Sequence, residues 1–128
     1  MYWPETPPKI FWDEDYAKAT RWGGIIAPQD FNPFAWPVHR AAAAAAAAQR
    51  PSREAQRFRV MNGGQTDTYG VPMRPGDVVA ARSRLQRYEE RATRLGETLF
   101  TFTENEWRNQ HGEVVKHRIS TGIRYLAA

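Results

Sequence analysis

Cysteine is absent from this chain. Disulfide staples, thiolate nucleophiles and zinc–thiolate centres are therefore excluded, and packing and hydrogen bonds must hold the fold alone. Histidine is scarce, present only as His39, His111 and His117. None of the three has a carboxylate or a second histidine at metal-ligand spacing, so neither a metal nor another cofactor is expected. No apolar run approaches the ~20 residues that span a bilayer, and the N-terminus lacks a basic-then-apolar signal pattern. The expectation is a soluble cytoplasmic protein without membrane contact, which the missing cysteines suit.

Blocks of one charge sign are missing as well. The balance is 18 Lys plus Arg against 14 Asp plus Glu, a net charge of +4, with both signs interspersed. A nucleic-acid surface would need a basic stripe interleaved with aromatics on one face. No such stripe is present, so nucleic acid is not an expected partner. A mildly positive surface does suit an anionic small ligand. At 128 residues the chain fits one domain, able to bury roughly two-thirds of its unfolded surface.

The prolines Pro4, Pro7 and Pro8 predict an extended arm over residues 1–10. A short helix follows: Asp13 can cap it, Glu14 and Asp15 occupy its first turn, and Lys18 and Arg21 its last. Gly23 can close it in a left-handed conformation. Asp30 is a candidate cap for a second helix, in which Phe31, Phe34, Ala35 and Val38 share a stripe that Pro37 interrupts. Ala41–Ala48 carries no face preference. Two readings stay open for it, a helical extension and alanines standing where other side chains belong, and no function is placed on it.

From Phe58 the apolar period changes to two. Residues 11–57 thus read as a helical part and 58–128 as antiparallel strands of the same domain. One strand opens at Gly76-Asp77 and runs to about Tyr88. A turn over Glu89 to Gly96 leads to a strand ending near Trp107, and Gln110-His111-Gly112 makes a tight turn. In the last strand Val115, His117, Ile119, Thr121, Ile123 and Tyr125 share one face, while Lys116, Arg118, Ser120 and Arg124 share a wet one.

Four stretches carry a resemblance. They are Trp12-Asp13-Glu14-Asp15-Tyr16-Ala17, Arg21-Trp22-Gly23-Gly24-Ile25-Ile26-Ala27-Pro28, the segment from Asn62-Gly63-Gly64-Gln65 through Pro75-Gly76-Asp77 to Val79, and Asn109 to Val115. In this order and spacing the chain resembles the MaoC-like dehydratases and hydratases, in particular their N-terminal-type dehydratase domain. The resemblance implies an α+β single hotdog fold, an antiparallel sheet wrapped around a central helix. The implied ligand is an acyl-CoA or acyl-carrier thioester. The implied assembly is a homo- or hetero-oligomer with another hotdog chain, which would cover exposed sheet edges. Family members usually carry a further helix before the catalytic motif, and Met1-Tyr2-Trp3 starts after that point; a shortened member and an incomplete N-terminus both fit.

Family hydratases activate water with an Asp and, five residues later, a His. Aligned on Asp13 to Ala17, those positions fall near Thr6 and at Phe11, neither of which moves a proton at neutral pH. Glu5 is a weak stand-in. The family also polarises the thioester carbonyl with a backbone N–H at the start of the central helix; the match here is Gln29, unless Asp30 merely caps the helix. Asn62, Gly63, Gly64 and Gln65 would lie beside the thioester, although the glycines also fit a bulge. Trp22 and Trp36, with Trp12, are candidates for an acyl channel. His117 acts only if the fold brings a carboxylate to it. Arg40, Arg50, Arg53 and Arg57 are either CoA-phosphate ligands or solvated charge.

Three functions follow. One is an acyl-CoA-binding subunit of an enoyl-CoA hydratase or 3-hydroxyacyl-CoA dehydratase, paired with a catalytic hotdog chain. Another is a non-catalytic thioester-binding or structural protein. The third is a hotdog thioesterase using Asp30 or Asp67.

Overall fold

The computed structural model describes residues 6–34 and 58–126. The expected second helix from Ala35 onward, with Trp36, Val38 and His39, the arginines between 40 and 57, and Ala41–Ala48 lie outside the described residues. Among the described residues the elements are a 3₁₀ turn (Lys9–Phe11), one helix α1 (Glu14–Lys18) and four strands. The strands are β1 (Phe58–Tyr69), β2 (Ala80–Thr93), β3 (Gly96–Arg108) and β4 (Val114–Leu126). They form one sheet in the order β1-β4-β3-β2. Two tight turns join β2 to β3 and β3 to β4. The longer connection from β1 to β2 leads from one sheet edge to the other.

Local chemistry explains most boundaries. The Asp13 side chain accepts from Tyr16 N at 3.0 Å, so it caps α1 as its spacing predicts. The helix is shorter than expected: Lys18 is its last residue and Arg21 lies beyond it. The Thr20 hydroxyl donates to Ala17 O at 2.6 Å and accepts from Trp22 N, diverting the chain into a turn. Gly23 sits at φ 65°. The expected extended arm is likewise cut short, because Phe11 N and Trp12 N donate back to Pro8 O and Lys9 O. Asp30 begins no helix within the described segment. The residues up to 34 form turns, and the Asp30 carboxylate instead accepts from the Tyr69 hydroxyl at 3.0 Å.

β2 begins four residues after Gly76 rather than at it. Asp77 N donates to Arg74 O, and the Asp77 side chain accepts from Arg74 N at 2.9 Å. Val78 N donates to the Gln110 side chain rather than to a ladder. Gln110 and Arg74 N–H donors hold the Asp77 carboxyl below its ordinary range. At its other end β2 runs on through residues expected to turn. Arg87 stacks over Phe102 and Arg91 over Phe100, 3.6 and 4.2 Å from the ring centroids. These cross-strand pairs, worth ~0.5–1 kcal/mol each, hold a polar run in the sheet and leave only Arg94-Leu95 for the turn.

The chain divides by packing into two compact units. The first comprises Met1–Asn32, Thr68–Arg82 and Glu106–His117. Its core is Ala17, Met73 and Val115, all buried. Gly70 N donates to Val115 O and Val71 N to Val114 O, both at 2.9 Å. The rising numbers on one side and falling numbers on the other make β1 antiparallel to β4. A Cβ on Gly70 would lie 1.9 Å from Val114 O, so only glycine permits this approach.

The second unit comprises Pro33–Asp67, Ser83–Asn105 and Arg118–Ala128. Asp67 and Arg118 form a two-pronged ion pair there, with Nε–Oδ1 2.7 Å and a second N–O contact of 2.9 Å. Buried Thr98 shares a 2.9 Å hydroxyl contact with Thr93 beside the β2–β3 turn. Among the described residues no helix is long and apolar enough to cross a membrane.

Candidate functional site

Within the first unit, two loops and the start of β4 enclose a small cleft of about 60 Å³. Trp22 and residues 26–29 form one wall, residues 69–73 the other, and Val115 and Lys116 the floor. The walls are tied together: Ala27 N donates to Met73 O at 2.8 Å, and an Arg74 guanidinium N–H donates to Trp22 O at 2.6 Å. Arg74 is itself held by the Asp77 turn. The "PGD" corner thus acts as scaffolding for the cleft, consistent with the turn chemistry of Pro75 and Gly76.

The floor corrects the expected wet face of β4. Lys116 is only 4% exposed. Its ammonium lies 5.2 Å from the Tyr69 ring centroid and 5.0 Å from that of Trp107, both within cation–π range. Tyr69 is fixed in turn by its hydroxyl donating to Asp30. Alternation along β4 placed Lys116 opposite Val115 correctly, but alternation reads direction and not cover. A polar residue facing two large rings is buried by them. The only signal in the sequence was a lysine at the head of a strand. Its meaning appears only once the sheet register sets Trp107 and Tyr69 on either side.

The candidate residues do not all converge. Trp22 and Gln29, the candidates for a channel wall and a carbonyl donor, both line the cleft. Trp36 lies outside the described residues. Trp12 is 53% exposed and gives its indole N–H to Pro7 O. Asn62 and Gln65 line a different, more open pocket of about 440 Å³ in the second unit, together with Arg118 and Thr101. There Asn62 Oδ1 accepts from Gly64 N, and Gln65 donates to Asp67, so both side chains already serve the strand.

Gly63 and Gly64 have structural reasons to be glycine. A Cβ at Gly63 would meet Thr121 Cγ2 at 2.8 Å, and Gly64 sits at φ 103°. His117 lies half-buried in β4 and is not among the residues lining the cleft. Phe11, which the resemblance aligns with the histidine of family hydratases, sits half-buried in the 3₁₀ turn, and Thr6 is exposed. Among the described residues no group of His, Asp and Glu could hold a metal ion.

Taken together, this arrangement can receive a group of a few heavy atoms against an apolar wall, with one positive charge beneath it. The Asp30 and Asp67 carboxylates are both engaged, the first by Tyr69 and the second by Arg118.

Comparison with known proteins agrees with this architecture. A family model described as "FAS1-like, dehydratase domain region" matches residues 4–118. No curated protein matches the sequence. Among solved structures the chain is similar to one from the ChsH1–ChsH2 complex of Mycobacterium tuberculosis, with TM-score 0.69 and 20% identity, covering 94% of this chain and 70% of that one. It is also similar to a MaoC-like dehydratase from Rhodospirillum rubrum, with TM-score 0.63 and 18% identity, covering 97% and 78%. A third is described as a monoamine oxidase regulatory protein from Archaeoglobus fulgius, with TM-score 0.61 and 16% identity, covering 94% and 73%. The fold is therefore an α+β hotdog, and the chain belongs to the FAS1-like dehydratase-region family, within the MaoC-like hotdog proteins.

Proposed function

We propose that this chain is the acyl-thioester-binding subunit of an enoyl-CoA hydratase or 3-hydroxyacyl-CoA dehydratase, without an acid–base pair of its own. A partner hotdog chain supplies the Asp and His that move the proton. The observation that carries this reading is the dehydratase-family match over residues 4–118 combined with Thr6 and Phe11 at the catalytic positions. A family scaffold is kept where the proton-transfer groups are replaced by groups that do not titrate near neutral pH. In this reading Gln29 offers a backbone N–H to the thioester carbonyl, and Trp22 packs against the acyl group. A single hotdog domain over 1–128 is the simplest organisation. The similar mycobacterial structure is a two-component complex, which supports a hetero-oligomeric assembly here. The cytoplasm is the proposed compartment.

The non-catalytic alternative rests on the same replaced positions. The thioesterase reading is weakened because both of its candidate carboxylates are engaged by other side chains. The test is to add crotonyl-CoA and follow the enone absorbance. The purified chain should leave it unchanged, and co-expression with a catalytic MaoC-like chain should make it fall. Hydration by the isolated chain would overturn the subunit reading, and release of free CoA thiol would point to a thioesterase.

A further inference from the structure

We propose that the cleft of the first unit limits the bound acyl group to a short chain. Trp22 is the stop that the chain meets, and Arg74 is the residue that positions it. The proposal rests on the thioester reading above and adds to it a substrate class and the residues that select it.

Three observations carry it. First, the cleft is small. Its volume is about 60 Å³, room for about two groups of water size at ~30 Å³ each. An apolar cavity that admits a benzene ring measures ~150 Å³. A few carbons therefore fit, while a ring or a long chain does not. The walls from Trp22, Ile26, Val71 and Met73 are apolar, so a short hydrocarbon tail gains by entering.

Second, the walls are tied and do not retreat. Ala27 N donates to Met73 O at 2.8 Å, and an Arg74 guanidinium N–H donates to Trp22 O at 2.6 Å. The Tyr69 hydroxyl donates to Asp30 at 3.0 Å. All three bonds join residues 22–30 to residues 69–74, so moving one wall back breaks more than one of them. Burying a single added methylene is worth about as much as one such bond and does not offset that loss.

Third, Trp22 is held from two sides. Arg74, which grips its carbonyl, is itself fixed: Arg74 N donates to Asp77 Oδ2 at 2.9 Å, and Asp77 N donates to Arg74 O at 3.1 Å. The Arg74 guanidinium passes beside Gly24, where a Cβ would lie 3.4 Å from Nη1. The Arg21 guanidinium lies over the indole, 4.5 Å from the ring centroid, a contact that any swing of the ring gives up. Trp22 is the largest side chain lining the cleft. Its position therefore sets how far a tail can reach.

The experiment measures binding of coenzyme A, butyryl-CoA and octanoyl-CoA to the full chain by isothermal titration calorimetry. Trp22→Ala removes the stop and Trp22→Phe shortens it. Arg74→Met removes the tie, and Arg74→Lys keeps a donor. Thermal melts confirm folding. The wild type should bind butyryl-CoA at least about tenfold more tightly than octanoyl-CoA, the scale on which a hydrophobic pocket discriminates by methylenes. In Trp22→Ala that preference should vanish or invert through a gain in octanoyl-CoA affinity. Arg74→Met should narrow it about threefold, and Arg74→Lys should restore it. A merely structural role, or a general attraction for the CoA phosphates, would change both affinities alike and leave their ratio unmoved.

Equal or tighter wild-type binding of octanoyl-CoA, with both thioesters bound more tightly than coenzyme A, would overturn the length limit and leave the thioester reading intact. Binding of neither thioester more tightly than coenzyme A would remove both. An unchanged ratio in folded Trp22→Ala would overturn the role of Trp22, and an unchanged ratio in folded Arg74→Met that of Arg74. Should Trp22→Ala not fold, Trp22→Phe decides: no gain for octanoyl-CoA overturns the stop. Arg74→Leu replaces an unfolded Arg74→Met, with the same outcome required.

Discussion

At the scale of single residues, the polar side chains of this protein divide by what holds them. Lys116 sits between two rings in the floor of the cleft, Arg118 is locked to Asp67, and Asp77 closes its own turn. Asp77 accepts from Arg74 N at 2.9 Å and from Gln110 Nε2 at 3.0 Å, and these donors lower its pKa from the ordinary 3.8. A carboxyl whose folded-state pKa lies below its unfolded value stabilises the fold above that unfolded value. The contribution disappears as pH falls through the folded pKa. Asp77→Asn should therefore cost about 1 kcal/mol at neutral pH. Its deficit against the wild type should shrink as pH drops below 3.8. Denaturant melts across that range check it; a deficit independent of pH would show that the carboxylate charge is not what closes the turn. Asp77 was legible as a turn residue from Pro75-Gly76-Asp77. Its bond to Gln110 was not, because 33 residues separate the two and only the β3–β4 turn brings them together.

At the scale of elements, β-sheet register decides which residues are replaceable. The stretch Asn62 to Gln65 is a candidate ligand-facing motif, and its two glycines also answer structural demands: Thr121 and Ile123 crowd Gly63, and Gly64 has a positive φ. Gly70 is the stricter case and attracted no notice in the sequence, since a lone glycine after a strand looks like an ordinary loop residue. Its missing Cβ lets the end of β1 close on Val114. Gly70→Ala would drive a methyl into that carbonyl oxygen and sever the bonds from Gly70 and Val71 to β4. The expected loss is about 3 kcal/mol, from the steric clash together with two severed backbone hydrogen bonds. Amide exchange at Gly70 and Val71 should accelerate before that of the β3–β4 turn. Unchanged protection at these amides would refute the close-contact account. Strand existence was plain from the period-two pattern after Phe58. The ends of β2 were misread because cross-strand arginine–phenylalanine stacking, not the strand's own residues, keeps its polar half in the sheet.

At the scale of the whole molecule, the described residues bury few large side chains. Ala17, Met73 and Val115 are the buried apolar residues among them, while Phe58, Val60, Leu85 and Tyr88 on the outer strands β1 and β2 are half exposed or more. Typical stabilities are only ~5–15 kcal/mol, so a further ~1 kcal/mol is measurable. An associating chain that binds only the folded state adds to stability by mass action. Co-expression with a catalytic hotdog chain should therefore raise the melting temperature by about 4 °C or more, corresponding to ~1 kcal/mol in a domain of this size. It should also yield one species at the summed mass in light scattering. A melting temperature that does not change with the partner or with concentration would argue against assembly.

The sequence by itself determined the family and the sheet. Period-two patterning, the capped Asp13 helix, the Pro75-Gly76-Asp77 corner and the order of four motifs are local properties, and local chemistry is readable along a chain. In the proposed alignment Thr6 and Phe11 stand where family hydratases keep their proton shuttle. Only the tertiary structure decided what surrounds each side chain. It gave Asn62 and Gln65 a pocket within the second unit and Trp22 and Gln29 the cleft of the first, turned Asp30 from a helix cap into the anchor of Tyr69, and buried Lys116. Burial depends on residues far apart in sequence: alternation tells which way Lys116 points, and the aromatic rings of neighbouring strands determine that the place it points to is dry.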